Sequence, residues 1–394
     1  MNAATLRRVL WALALLSVPV GLWGLYMRVT GGHEVTNYGS YVVWGLWVAM
    51  YLYFMELAAG SHLFATMDLI SGYKPFARMY RIALVAALAS MVGGLLHIFF
   101  DLGHPERFLN AYLSPSTSSV MAFMVWSYTL FGLVLLAQIA LEFRPEWMKA
   151  LGRDYTASAQ DRDHRLLKGL QVLSIPMVIA FSGGVGALFG VQAARPYWHV
   201  GMYPVAFIVT ALVSGAGLMT FLAAFFVPAD SNDHAPLMRA LSRLLAIFLV
   251  TEALFVFADY SISLYGGMTQ NVAAVMQVLT GPYAPSFWIL QVLIGMLVPF
   301  LIVVLPGLNR NNSLLGLAGA LVLVGFVAVR INAVLPALTV PELEGMRTAF
   351  VDPRLGFDYF PSLAEWALTI GITGFAVLIF LVASNRLNLV KAEA

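Results

Sequence analysis

Long apolar blocks alternate with short polar connections along the whole chain. They fall at 9–28, 41–66, 82–102, 119–141, 168–192, 203–227, 243–265, 286–306, 314–335 and 362–384. A helix needs about 20 mostly apolar residues to cross the hydrocarbon layer. None of the blocks alternates polar and apolar positions as a membrane β-strand would. In lipid every backbone polar group must be paired internally, so the blocks are predicted as helices. The expected fold is all-α: a polytopic integral membrane helical bundle, one membrane domain over residues 1–394, with about ten transmembrane helices. Arg7 and Arg8 ahead of the first block give it the look of a signal peptide. The run continues to Tyr26 with no small-x-small cleavage site, so it is read as an uncleaved first helix.

The connections sort by charge. One side collects Arg7, Arg8, Lys74, Arg78, Arg81, Arg144, Lys149, Arg153, Arg162, Arg165, Lys168, Arg239, Arg243, Arg310, Arg386 and Lys391. The other holds Arg107, Arg195, Arg347 and Arg354, with Arg28 at its border. The positive-inside bias then predicts both termini in the cytoplasm, with 29–40, 103–118, 193–202, 266–285 and 336–361 facing outward. The inner stretch 142–167 is expected to be a polar, basic connector. The outer loops are rich in Tyr, Trp and Pro, as in ARPYWHVGMYP and TGPYAPSFW. Such residues form an interfacial belt, cap a pocket or dock a partner. Composition fits a polytopic membrane protein: 60% of residues are hydrophobic and 11% charged, against about 25% charged in soluble domains. The net charge of +2 gives no argument for nucleic acid, which leaves membrane lipid as the surrounding partner. There is no cysteine, which excludes disulfides, an iron–sulfur cluster held by this chain and a zinc-thiolate site.

Ionisable side chains at membrane depth are expensive, and each is a functional candidate. They are Glu56, His62, His97, Asp101, Glu252, Asp259 and Arg330, with Glu365 near an outer boundary. At about 1.5 Å of rise per residue, His97 and Asp101 lie within a turn or so of the outer surface. Asp259 and Arg330 lie roughly two turns in and Tyr51 about three, while Glu56 and Glu252 are nearer the middle and His62 is close to the inner end. His97 and Asp101 are spaced i, i+4, and Glu252 and Asp259 i, i+7, so each pair shares a helix face. The expectation is an outer-half cluster of His97, Asp101, Asp259, Arg330 and Tyr51, if the helices pack with these faces together. His62 and His97 sit at opposite depths, on the order of 20 Å or more apart, so they cannot ligate one haem. No metal site is expected, because only His97 and Asp101 have ligand spacing. A quinone suits the cluster better. Its apolar ring needs a greasy slot, aromatic walls and a polar partner at each carbonyl, and its reaction moves two protons. His97, an imidazole that titrates near neutrality, and Asp101 would form the catalytic pair, with Asp101 orienting the ring. Glu56, Glu252 and Asp259 would relay protons from the inner side.

Structural readings stay open for the same residues. His97 could bond a neighbouring helix, Asp101 could cap the next turn or pair with Arg107, and Arg330 could be the counter-ion of an aspartate. Glu56 and Glu252 could be hydrogen-bonded core groups, and His62 interfacial. FSGGVGALFG is read as close helix packing, because it lies inside a span where a nucleotide loop has no place.

Five segments resemble the NrfD/polysulfide-reductase membrane-subunit family. They are WGLWVAMYLYFMELAAGSHL in the second span, DLGHPERF after the third, SPSTSS before the fourth, ARPYW after the fifth and YFPSLAEWALTIGI at the tenth. Their order covers nearly the whole chain, and ten spans resemble the family's longer branch, which includes the hydrogenase-2 membrane subunit. The resemblance implies a haem-free, quinone-reactive anchor that uses menaquinone or ubiquinone. It implies docking of a ferredoxin-like [4Fe–4S] subunit on the outer face, which connects to a catalytic subunit, often a molybdopterin enzyme or a hydrogenase. The quinone would meet Trp47, Tyr51, His97, Asp101, Asp259 and Arg330. Tyr51 stands where the family can carry His or Asp. A tyrosine can bond a carbonyl but is a poor proton acceptor, which shifts the proton role to His97 or Asp101. A proton-coupled secondary transporter is the alternative. Buried Glu56, Glu252, Asp259 and Arg330 would suit one, but no inverted repeat is evident and the titratable groups favour the outer half.

Overall fold

The computed structural model describes residues 2–229 and 232–390; Lys391, assigned to the inner side by the charge pattern, lies outside them. Among the described residues ten helices are long and apolar enough to cross a membrane. They are α1 (Ala3–Gly31), α2 (Leu46–Ala65), α3 (Tyr80–Asp101), α4 (Val120–Glu142) and α5 (Ala157–Gly190). The second half holds α6 (Tyr203–Phe226), α7 (His234–Gly266), α8 (Ser286–Val304), α9 (Asn312–Thr339) and α10 (Leu363–Arg386). Several start or end a turn or more away from the expected bounds, α5 and α7 most of all, each beginning well before its apolar block. α5 begins about three turns earlier than its apolar block, because the Thr156 side chain accepts the Ala159 N–H as an N-cap and the polar run after it is helix-forming. α8 opens with a π-helical stretch, Ser286–Leu297, which a hydrophobic pattern does not encode.

Helices α2–α5 form one four-helix unit and α6–α9 a second. The units meet where α2 packs on α6 and α9 and where α5 packs on α6. α2 is the central element, and all its residues are buried. Its closest approach to α6 is at Gly60 and Gly215, where an added Cβ would run into the facing backbone. The FSGGVGALFG stretch serves the α5/α6 contact in the same way, with Gly186 against Tyr203 and Pro204. α1 and α10 pair outside the two units, antiparallel, with Gly21 on Gly371 and Gly24 on Leu368.

The two ends of the bundle differ. At the end expected to face inward, arginines are held by carboxylates and carbonyls. Arg81 bridges Glu142 (2.7 Å) and Glu146 (2.5 Å), Arg144 reaches Asp163 (3.0 Å) and Arg78 reaches Asp233 (3.1 Å). The 142–167 stretch is therefore a folded hairpin, with a helix over Arg144–Ala150 pinned to the start of α5. At the opposite end, called outer below, the connections knit into a cap. Arg195 pairs with Glu342 at 2.9 Å, Arg354 donates to the carbonyls of His33 and Tyr38, and Trp44 stacks on Trp198. Burial lowers the pKa of Arg195, and Glu342 partly restores it.

Glu365 is the structural hub of that cap. It closes a capping box with Ser362 at the start of α10, and it accepts from the Asn37 N–H at 3.0 Å and from the Tyr359 hydroxyl. Burial, and then the Glu365 charge, push the Tyr359 hydroxyl far above its ordinary pKa, so it remains a donor. Removing the carboxylate leaves the part-buried donors of Asn37, Tyr359 and Ser362 unmatched. Glu365→Ala is expected to lower stability by about 3 kcal/mol, read as the unfolding midpoint in detergent. An unchanged midpoint would contradict the hub role.

Candidate functional site

His97 is fully buried on α3, with its ring stacked on Phe54 of α2 at 5.4 Å between centroids. Its Nδ1 lies 2.8 Å from the Gly93 carbonyl one turn back. A carbonyl only accepts, so Nδ1 carries the hydrogen and the neutral ring presents a lone pair at Nε2. Nε2 is enclosed and has no protein partner. One turn on, Asp101 accepts the Tyr38 hydroxyl at 2.9 Å. Burial and the Asp101 charge raise the Tyr38 pKa well above its ordinary value, which keeps it a donor. Arg28 of α1 donates to the Phe100 and Leu102 carbonyls at 2.8 and 2.7 Å, so it caps the C-terminal end of α3. Two expectations change here. The Gly93 carbonyl, not Asp101, orients the imidazole, because a helical His can fold its Nδ1 back onto the carbonyl at i−4. Asp101 pairs with Tyr38 rather than Arg107, whose nearest carboxylate is Glu106 at 3.9 Å.

A second cluster occupies the interface of the two units. Arg330 on α9 lies 2.5 Å from Glu56 on α2, and both are nearly fully buried. Thr210 on α6 donates to Glu56 at 2.7 Å and accepts from Arg330, and the guanidinium sits 4.1 Å above the Phe207 ring. Arg330 is thus a counter-ion, but of Glu56 rather than of an aspartate. The reason is topological: α9 packs on α2, which brings mid-helix Glu56 into reach. Beside the pair is a cavity of about 90 Å³ bounded by α6, α7, α8, α9 and Tyr197 of the outer cap. Glu252, Asp259, Tyr203, Tyr260, Gln291 and Asn332 line it. Three of its buried polar atoms have no partner: Glu252 Oε2, Arg330 Nε and Asn332 Oδ1.

The expected single outer cluster is therefore divided. Asp259, Arg330 and Glu252 share the cavity, with Glu56 behind Arg330. His97 and Asp101 belong to the α1–α3 side, and neither lines that cavity. Tyr51 shares a hydrogen bond with the Tyr128 hydroxyl of α4, which occupies its phenol within the first unit. Trp47 donates to the Glu365 carbonyl at 3.2 Å and helps hold the cap. His62, expected at the interface, is fully buried edge-on to Phe131 at 5.0 Å. Sequence reasoning missed Thr210, Phe207, Asn332 and Gln291, which carry no charge and so left no mark among apolar neighbours. It also missed Tyr38 and Tyr359, for which the aromatic outer loops were the available signal.

Comparison with known proteins bears on what these groups do. A family model described as Polysulphide reductase, NrfD matches residues 34–342. A selenate reductase subunit of Mesobacillus selenatarsenatis is 34% identical over 92% of this chain and 89% of its own length. The Hdr-like menaquinol oxidoreductase integral membrane subunit of Archaeoglobus fulgidus is 26% identical over 98% of this chain and 94% of its own length. A polysulfide reductase polypeptide of Wolinella succinogenes is 24% identical over 73% of this chain and 92% of its own length.

Proposed function

Because the chain belongs to the NrfD polysulphide reductase family, we propose that it is the quinone-reactive membrane subunit of a respiratory oxidoreductase complex in a bacterial inner membrane. A bound quinone or quinol supplies a two-electron, two-proton couple. Everything else at the site is the work of this chain's own side chains. The observation that carries the reading is His97 Nε2: a buried lone pair with no protein partner, on a ring fixed by the Gly93 carbonyl. Such a nitrogen accepts a proton from a hydroxyl on oxidation and returns it on reduction. Tyr38 holds Asp101 one turn away, where the carboxylate can pass that proton toward the cap. Trp47 and Tyr51 support the wall of α2. Their own hydrogen bonds are taken, which leaves the proton to His97 and Asp101.

The electrons leave or enter through an iron–sulfur partner, ferredoxin-like in character, that docks on the outer cap and connects to a catalytic subunit. The cap suits docking, because it is tied together by Arg195–Glu342 and Arg354 and still presents exposed Phe350, Val351 and Phe360. The chain contributes no haem and no cluster to this transfer. Both termini lie on the cytoplasmic side. Glu252, Asp259 and Glu56 with Arg330 form a proton route through the second unit and the interface. Glu56→Gln is expected to abolish any proton uptake coupled to turnover, measured as protons per electron in proteoliposomes. An unchanged ratio would remove Glu56 from the route.

The test of the whole reading uses the complex as purified with its partners. Quinol is expected to reduce the partner's clusters, followed optically under anaerobic conditions. Absence of quinol-linked electron transfer, together with solute-dependent transport by the chain alone in liposomes, would favour a transporter instead.

A further inference from the structure

Helices α7 and α8 splay apart on the lipid-facing side of the second unit. Between them runs an apolar groove of about 600 Å³. Leu249, Ala253, Phe257, Trp288, Val292 and Met296 form its walls. The polar cavity at Arg330 lies directly behind it, and Val256 and Tyr260 line both spaces. Tyr260 and Phe287 form the partition, with ring centroids 5.5 Å apart. The π-helical start of α8 shapes this boundary. It sends Gln291 inward to accept from Asn332 at 2.8 Å and leaves Trp288 and Val292 on the groove. Such π-segments are rare and recur at functional sites.

The chemistry of the two spaces selects an occupant. The cavity holds an unmatched donor, Arg330 Nε, and unmatched oxygens of Asn332 and Glu252, each on a residue at most 3% exposed. A polar group that accepts from Arg330 would satisfy what the protein leaves open. Arg330 is already neutralised by Glu56, and the other ionisable side chains on the cavity, Glu252 and Asp259, are carboxyls, so no free cation among the described residues faces it. A phosphate or fatty-acid head would find no counter-charge there. The space, about 90 Å³, admits the carbonyl edge of a flat ring. The tail of the same molecule must be long and apolar, because the groove offers nothing polar except Ser261 and the Tyr260 rim.

We propose that the α7/α8 groove and the cavity behind it form a membrane-side binding site for an isoprenoid quinone, distinct from the His97 end of α3. The chain of the quinone lies along Ala253, Val292 and Met296. The ring carbonyl accepts from Arg330 Nε, with the Tyr260 side chain turned off Phe287 to open the partition. The site goes beyond the function proposed above: it concerns binding alone and does not require His97 chemistry.

The test uses the full chain in lipid nanodiscs with an isoprenoid quinone that carries a diazirine on its terminal isoprene unit. After illumination, the label is expected on peptides covering 249–264 and 286–300, and unlabelled quinone should compete it away. Ala253→Trp fills the groove from an exposed position, and Val292→Phe narrows it from the other wall. Each is expected to lower labelling by about tenfold, the factor equivalent to ~1.4 kcal/mol of binding, with the unfolding midpoint unchanged. His97→Ala is expected to leave the labelling intact even where it stops turnover, which separates failure of this site from failure of the His97 reading. Three results would overturn the proposal. One is no label on α7 or α8. Another is label unaffected by either variant. The third is equal labelling by an acyl-diazirine phospholipid that quinone does not displace, which would make the groove a lipid-solvated seam.

Discussion

Arg330→Met is expected to destabilise the protein by about 3–5 kcal/mol, the range for breaking a buried ion pair by removing one partner. Arg330 is 2% exposed and Glu56 3%, and the two lie 2.5 Å apart across the α2/α9 contact. Without the guanidinium, Glu56 keeps only the Thr210 hydroxyl as a donor. An uncompensated carboxylate in a bundle core must then take up a proton or pull in water, and either response weakens the packing of α2 against the second unit. The loss also removes the contact with the Phe207 face, worth about 2 kcal/mol when desolvated. The double variant Glu56→Met/Arg330→Met supplies the control. Replacing both partners by apolar side chains of similar size is often neutral, so the double variant is expected to regain most of the lost stability. The measurement is the unfolding midpoint in a denaturing detergent for both single variants, the double variant and the parent chain. A single variant as stable as the parent, or a double variant worse than either single, would show that the pair does not hold the units together. The double variant also separates stability from function. If it folds and turns over quinol but moves no protons, the charges are retained for transport.

The ten crossings were legible because the hydrocarbon layer imposes a length and an apolarity that few other constraints imitate. The spacing of His97 and Asp101 was equally legible, since four residues return a helix to the same face. What those faces meet was not. Interhelical contacts in a membrane are set by small residues and local shape rather than by hydrophobic contrast. The sequence therefore marked Arg330 and Glu56 as costly without pairing them. The pairing follows from α2 sitting at the centre of the bundle, held against α6 by Gly60 and Gly215. Glu365 illustrates a signal that was present and passed over. Ser362 and Glu365 stand three apart before an apolar run, which is the pattern of a capping box. Read that way, its charge at a boundary is explained by helix capping and by the Asn37 and Tyr359 donors. The π-helical start of α8 and the cavity behind it had no sequence signal, because neither a hydrophobic pattern nor charge marks a π-turn or the pairing of Gln291 with Asn332 across two helices.

His97→Gln is expected to lower quinol-linked turnover of the complex by about 10²–10⁴-fold, the contribution of a positioned general acid–base group. The substitution is chosen for what it preserves. Glutamine has an N–H₂ that can still donate to the Gly93 carbonyl and a carbonyl that can still accept near the position of Nε2. It cannot take a proton at neutral pH. Binding of the headgroup is therefore expected to survive, so KM for quinol should change far less than kcat. His97→Ala removes both the base and the ring stacked on Phe54. It should lose stability as well as rate, and added imidazole is expected to restore part of the rate by refilling the vacated space. A structural imidazole would behave differently. The Gln variant would keep full turnover, and the Ala variant would lose stability without rescue of rate. Wild-type turnover in His97→Gln, with the complex intact, is the result that would take the proton role away from this nitrogen. Asp101→Asn tests the next step along the same face. It keeps the bond to Tyr38, which is 2.9 Å long, and removes the charge that would receive the proton from His97. A smaller loss than that of His97→Gln is expected, because water at the outer end of α3 can replace a second carrier but not the first.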